Sequence, residues 1–197
     1  ITGTAVIKED KVSFIKDISG LNYRLAGEVV GAADEVVPMI LKGGGIKNTL
    51  IISPPGAGKT TMLRDIVRQL SYKSYRVSVV DERSEIAALC EGRSAFDLGF
   101  STDILEGVDK AEGMLMVLRS MSPDVIVTDE IGKQSDIDAI ERITNSGAAV
   151  IATIHGRNID MIKRRDDLKR MLKFFDLIIT LSKRKGIGTV EEALTEW

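Results

Sequence analysis

The sequence predicts an α/β chain: a mostly parallel sheet with helices on both faces, preceded by a small N-terminal α+β appendage. Three observations carry this. From Asn48 onward, short apolar runs alternate with stretches of helical periodicity. Several of these runs are apolar without a break, the mark of strands buried on both faces. A loop rich in Gly and Pro and ending in Lys joins the first run to the first helical stretch.

Residues 1–45 form the appendage. Thr4-Ala5-Val6-Ile7 and Val12-Ser13-Phe14-Ile15 flank the polar Lys8-Glu9-Asp10-Lys11, which predicts a hairpin. Leu25, Val29, Val30, Ala33, Val36, Val37 and Ile40 then recur at helical spacing and predict a helix ending near Leu41. Gly43-Gly44-Gly45 breaks that pattern and sets a hinge.

Residues 46–197 form the core. Strands are predicted at 49–52, 77–80, 125–128, 148–153 and 177–181. Helices are predicted at 59–70, 110–121, 136–146 and, as one basic helix, 158–173. Met114 and Met121 on the second of these helices read as core filling. Phe174-Phe175 reads as docking in the core.

Composition removes several classes of function. Of 197 residues, 44% are hydrophobic and 28% charged, which are globular proportions. No run approaches the roughly 18 apolar residues of a membrane span. The single Cys90 forms no intrachain disulfide and fits a reducing compartment. One His and one Cys do not build a zinc cluster within a chain. A start at Ile1, without an initiator Met, suggests a fragment with a segment preceding it.

The net charge of −2 argues against a basic nucleic-acid wrapper, yet the charge is uneven. Residues 81–142 carry fifteen acidic and six basic residues, whereas residues 157–185 carry ten basic and four acidic. The basic stretch reads as a solvated helix face or, more sharply, as a contact surface for an acidic partner, a neighbouring subunit or nucleic acid.

The strongest motif is Ser53-Pro54-Pro55-Gly56-Ala57-Gly58-Lys59-Thr60-Thr61, set between a buried strand and an amphipathic helix. Gly56 and Gly58 let successive backbone N–H groups converge on one point, and the helix N-terminus adds partial positive charge. Pro54 to Thr61 therefore form a phosphate-binding loop for a nucleoside triphosphate. Lys59 reaches the β- and γ-phosphates, and the Thr60 hydroxyl ligates Mg2+. The usual pattern opens with Gly, and Ser53 stands there instead. Serine suffices if that backbone needs no positive φ.

Asp129-Glu130 ends the predicted strand 125–128, at the sheet edge where ligands of open parallel sheets bind. Asp129 fits the carboxylate that holds Mg2+, and Glu130 fits the base that orients water. A second pair, Asp81-Glu82, ends the strand 77–80. It serves either as the N-cap cluster of a helix running toward Ala88 or in catalysis. Spacing does not choose between Glu82 and Glu130 as the base. A glutamate after the metal-side aspartate marks the additional-strand (RecA/AAA-like) P-loop type, in which a further strand lies between the loop strand and the aspartate strand. Residues 148–153 fit that strand, and Thr153 or His155 at its end is a candidate γ-phosphate sensor.

Leu118–Ile126 with Asp129-Glu130-Ile131 resembles the arginine and Walker B segments of type II and type IV secretion ATPases. Ile51–Leu63, Val80–Ala87, Lys110–Met114, Arg119–Ile131, Leu181–Gly186 and Gly188–Glu192 resemble the stage III sporulation protein AA family. That resemblance implies a cytoplasmic ATPase, peripherally associated with a membrane complex. It implies a ring, hexameric in form, working with membrane-embedded sporulation channel proteins between mother cell and forespore. Arg119, Arg157 and Arg24 are candidates for a guanidinium delivered to a neighbour's site. The rival readings are a nucleic-acid-associated ATPase and a nucleotide-gated scaffold with little turnover.

Overall fold

Glycine and aspartate turns, apolar runs and helix caps set the elements in chain order. The computed structural model describes residues 1–22 and 27–197. Strands β1 (Thr2–Lys8) and β2 (Lys11–Gly20) pair antiparallel as the expected hairpin. Its turn residues Glu9 and Asp10 take φ of 49° and 57°, the left-handed pair of a tight hairpin.

The helix expected to end near Leu41 is one turn, α1 (Val37–Ile40). Gly31, at φ 89°, and Pro38, which lacks an N–H, keep the segment from winding further. Ala33, Val36, Val37 and Ile40 are nevertheless buried, whereas Val29 and Val30 are exposed. Leu25 and Arg24 lie outside the described residues.

Beyond the glycines come β3 (Thr49–Ser53), α2 (Lys59–Tyr72), β4 (Val77–Asp81), the short pair β5 (Leu89–Cys90) and β6 (Arg93–Ser94), and β7 (Thr102–Glu106). Then follow α3 (Lys110–Met121), β8 (Val125–Thr128), α4 (Gln134–Ser146) and β9 (Ala149–His155). The chain closes with α5 (Ile159–Lys163), α6 (Asp166–Met171), a 3-10 turn at Leu172–Phe174, β10 (Leu177–Ser182) and β11 (Thr189–Leu194). Asp109 caps α3 by accepting from the Ala111 and Glu112 N–H groups. Gly147, left-handed at φ 88°, ends α4.

The single basic helix expected over 158–173 is broken into α5, α6 and the 3-10 turn. In an unbroken helix, Ile159 and Ile162 would face away from Leu168 and Met171. The break at Arg165, extended at φ −103° and ψ 112°, buries both sets on one side. Phe175 is buried, as expected.

Seven strands form one sheet in the order β11-β10-β3-β9-β8-β4-β7, all pairs parallel except β10 with β11. Strand β9 sits between β3 and β8, the additional-strand arrangement expected from the sequence. Alternate residues feed opposite faces. Leu50, Ile52, Val80, Ile126 and Val150 pack under α3 and α4, with Met114, Ile140 and Ile143. Ile51, Val79, Val127 and Ile151 pack under α2, with Leu63, Ile66, Val36 and Ile40. Parallel pairing aligns the C-terminal ends of β3, β9, β8 and β4 along one edge, where the loop and both acidic pairs emerge.

Candidate functional site

The loop from Ser53 to Gly58 leaves β3 and enters α2. Gly56 and Gly58 are left-handed, at φ 67° and 89°. A Cβ on Gly58 would lie 2.9 Å from Ile187 and 3.3 Å from the Gly188 backbone nitrogen, so a side chain there has neither the conformation nor the room. Ser53 ends β3 in extended backbone and is buried, so the departure from the usual opening glycine costs no strain. Pro55, Gly56, Gly58, Lys59, Thr60 and Thr61 line a cavity of about 230 Å³, closed on its other side by Glu85, Glu130 and His155. Gly58 N-caps α2, so the positive end of a 14-residue helix faces this cavity. A larger groove, about 820 Å³, lies at the opposite sheet edge around Asn48, Tyr75 and Asp124 and holds none of these groups.

The acidic pairs divide their work. Asp129 is 1% exposed, and neither of its carboxylate oxygens has a hydrogen-bond partner. The Lys110 ammonium stands 3.2 Å from its Oδ1. Glu130 has φ 30°, a left-handed value that turns its side chain toward the loop. Its Oε2 lies 3.2 Å from Lys59 Nζ and 3.4 Å from Arg83. Burial disfavours the charged form of Glu130. The Lys59, Arg83 and Lys110 cations outweigh this and hold its carboxyl below the usual range.

Asp81 is buried and accepts from the backbone N–H groups of Glu85, Ile86 and Ala87 at 2.8–2.9 Å. It thus pins a turn. The helix expected toward Ala88 does not form, because Ser84 and Ala88 take positive φ. Glu82 sits between Lys110, at 3.7 Å, and Lys133, at 3.6 Å.

Thr153 binds both sides of the turn after β8. Its hydroxyl accepts from the Glu130 N–H at 2.9 Å, and its carbonyl accepts from the Ile131 N–H at 2.9 Å. His155 pairs in register with Ser53 and lies exposed on the cavity wall. Arg119 is not brought into this cluster. It lies exposed in the last turn of α3, about 13 Å along the helix axis from Lys110 at its first residue. Lys110, Arg83 and Glu85 are site residues that the sequence reading did not single out; their signal, a cation or carboxylate near a strand end, is too common to stand out.

Thr60, buried at the start of α2, and the Asp129 carboxylate, buried with no hydrogen bond to either oxygen, offer the hard oxygen donors that suit a divalent cation.

The central β9, the glycine-lysine loop and the strand-end carboxylates define an additional-strand P-loop α/β fold of the kind seen in secretion ATPases. The chain belongs to the family described as sporulation stage III, protein AA, which matches residues 1–196. It is 38% identical over 199 residues to stage III sporulation protein AA of Bacillus subtilis (strain 168), covering 98% of this chain and 64% of that protein. In fold it is similar to the ATPase DotB of Legionella pneumophila, with TM-score 0.55 and 20% identity, covering 75% of this chain and 43% of that one. It is also similar to the VirB11 ATPase of the Brucella suis type IV secretion system, with TM-score 0.56 and 14% identity, covering 82% of this chain and 50% of that one.

Proposed function

We propose that this chain binds and hydrolyses ATP with Mg2+, and so energises or gates a secretion-like channel machine during sporulation. The observation that carries this is the meeting of Lys59 and Glu130, at 3.2 Å, on the wall of a small cavity near a buried aspartate whose oxygens accept no hydrogen bond.

The steps belong to the chain's own residues. Backbone N–H groups of Gly56 to Thr60 surround the phosphates of the bound nucleotide. Lys59 leaves Glu130 for the more highly charged β- and γ-phosphate oxygens. Glu130, released from Lys59 and fixed through its N–H by Thr153, then orients the attacking water and takes its proton. Thr60 and Asp129 hold Mg2+, which when bound neutralises charge on the phosphate oxygens. Thr153 and His155, at the end of β9, register whether the γ-phosphate is present. Loss of the phosphate restores the Lys59–Glu130 pair.

Membership of the family supports a reading of assembly and partnership. We read the active form as a ring of copies, hexameric in form, docked peripherally on membrane-embedded sporulation channel proteins from the cytoplasmic side. Among the described residues, no helix is long and apolar enough to cross a membrane.

Lys59→Ala tests the assignment through binding of a fluorescent ATP analogue. Affinity should fall by tenfold or more, on the order of one charge-assisted contact. Undiminished affinity would remove the phosphate-loop assignment.

A further inference from the structure

Among the described residues, Lys110 is the one buried lysine, at 4% exposure. Burying an ammonium is costly unless it is paired. It is also the first residue of α3, where the helix dipole disfavours a cation. Two local rules are therefore broken at one position, and the partners show why it is tolerated. Nζ donates to the Glu130 carbonyl at 3.1 Å and lies 3.2 Å from Asp129 Oδ1 and 3.7 Å from Glu82 Oε2.

These contacts differ in kind. The hydrogen bond goes to the Glu130 backbone, whereas the Asp129 carboxylate receives charge without hydrogen-bond geometry on either oxygen. The ammonium is thus anchored independently of Asp129, and its flexible stem already places it near a second carboxylate, Glu82. An ammonium and a divalent cation on the same buried carboxylate repel strongly at low effective dielectric.

We propose that Lys110 is a resident counter-cation for Asp129. It balances the buried carboxylate while no metal is held, and it withdraws toward Glu82 when Asp129 takes Mg2+. Lys110 is a positioning residue: it acts through Asp129 and sets how readily that carboxylate accepts a cation. The inference rests on the reading of Asp129 as the metal-side carboxylate.

The test uses thermal unfolding of the 197-residue chain without nucleotide, in excess EDTA and in millimolar MgCl2. Lys110→Met keeps the stem and removes the charge. In EDTA it should lower Tm by roughly 5–15 °C, the range for breaking a buried pair in a chain of this size. MgCl2 should recover much of that loss in Lys110→Met and leave the wild type almost unmoved. In the double variant Lys110→Met/Asp129→Asn, EDTA stability should exceed that of Lys110→Met, and the MgCl2 response should vanish. A purely structural lysine predicts equal responses to MgCl2 with and without it, and that result would overturn the proposal. So would a double variant no more stable than Lys110→Met, including failure of both to fold. Folding of the double variant alone would support the pairing. No nucleotide is present, so a negative result leaves the phosphate-loop reading standing, while that reading fails separately through Lys59→Ala.

Discussion

Lys59 Nζ and Glu130 Oε2 lie 3.2 Å apart, so the cation of the phosphate loop and the carboxylate after β8 neutralise each other before any nucleotide arrives. Arg83 adds a second cation to the same oxygen at 3.4 Å. A carboxylate held by two cations is a weak base, so on the proposed reading Glu130 becomes active only when phosphate draws Lys59 away.

Glu130→Gln should retain nucleotide binding and lose turnover by roughly 10²-fold or more, the scale of general-base catalysis. Glu82→Gln should be milder, because Glu82 is occupied by Lys110 and Lys133. Phosphate release under saturating MgATP, with binding measured in parallel, ranks the two. The reverse order would move the base to Glu82.

Asp65 in α2 accepts from the Ala33 N–H at 2.8 Å and from Arg68 and Gln69, tying the segment before α1 to the core helix. Asp65→Ala should cost about 2–3 kcal/mol at neutral pH. Burial alone would raise its pKa, but the Ala33 N–H, Arg68 and Gln69 outweigh it and the folded value is lowered. Its contribution is therefore complete above the unfolded pKa, about 3.9, and fades as pH falls through the folded one. Urea unfolding from neutral pH to about pH 3 should show the gap between wild type and variant closing on the acid side. A constant gap would contradict a charge-based role.

If copies complete one another's sites, specific activity should rise with protein concentration. Arg119→Ala or Arg157→Ala should abolish the rise while sparing nucleotide binding. A guanidinium supplied by a neighbour contributes about 10³–10⁵ in rate in related chemistry. Arg157 lies exposed in a groove of about 620 Å³ with Pro54, Pro55 and His155, so its loss should have the larger effect. Phosphate release per molecule that stays flat from monomer to ring would end the shared-site idea.

What the sequence determined by itself is the local grammar of the core. The uninterrupted apolar runs at β3 and β8 and the glycines at 56 and 58 act within a few residues, through burial and steric freedom, and each could be read in place. The order of strands was legible only because Glu130 follows Asp129. The edge strands β7 and β11 escaped, since residues such as Asp103, Glu191 and Glu192 interrupt their apolar pattern at the rim of the sheet. The break at Arg165 is likewise tertiary: which side must bury Leu168 is decided by the sheet beneath it. The pairing of Lys59 with Glu130, the burial of Lys110 against Asp129 and the turn-pinning role of Asp81 were decided by structure alone. Such contacts join distant segments, and charge acts through space, so the order of strands in the sheet fixes which cation meets which carboxylate.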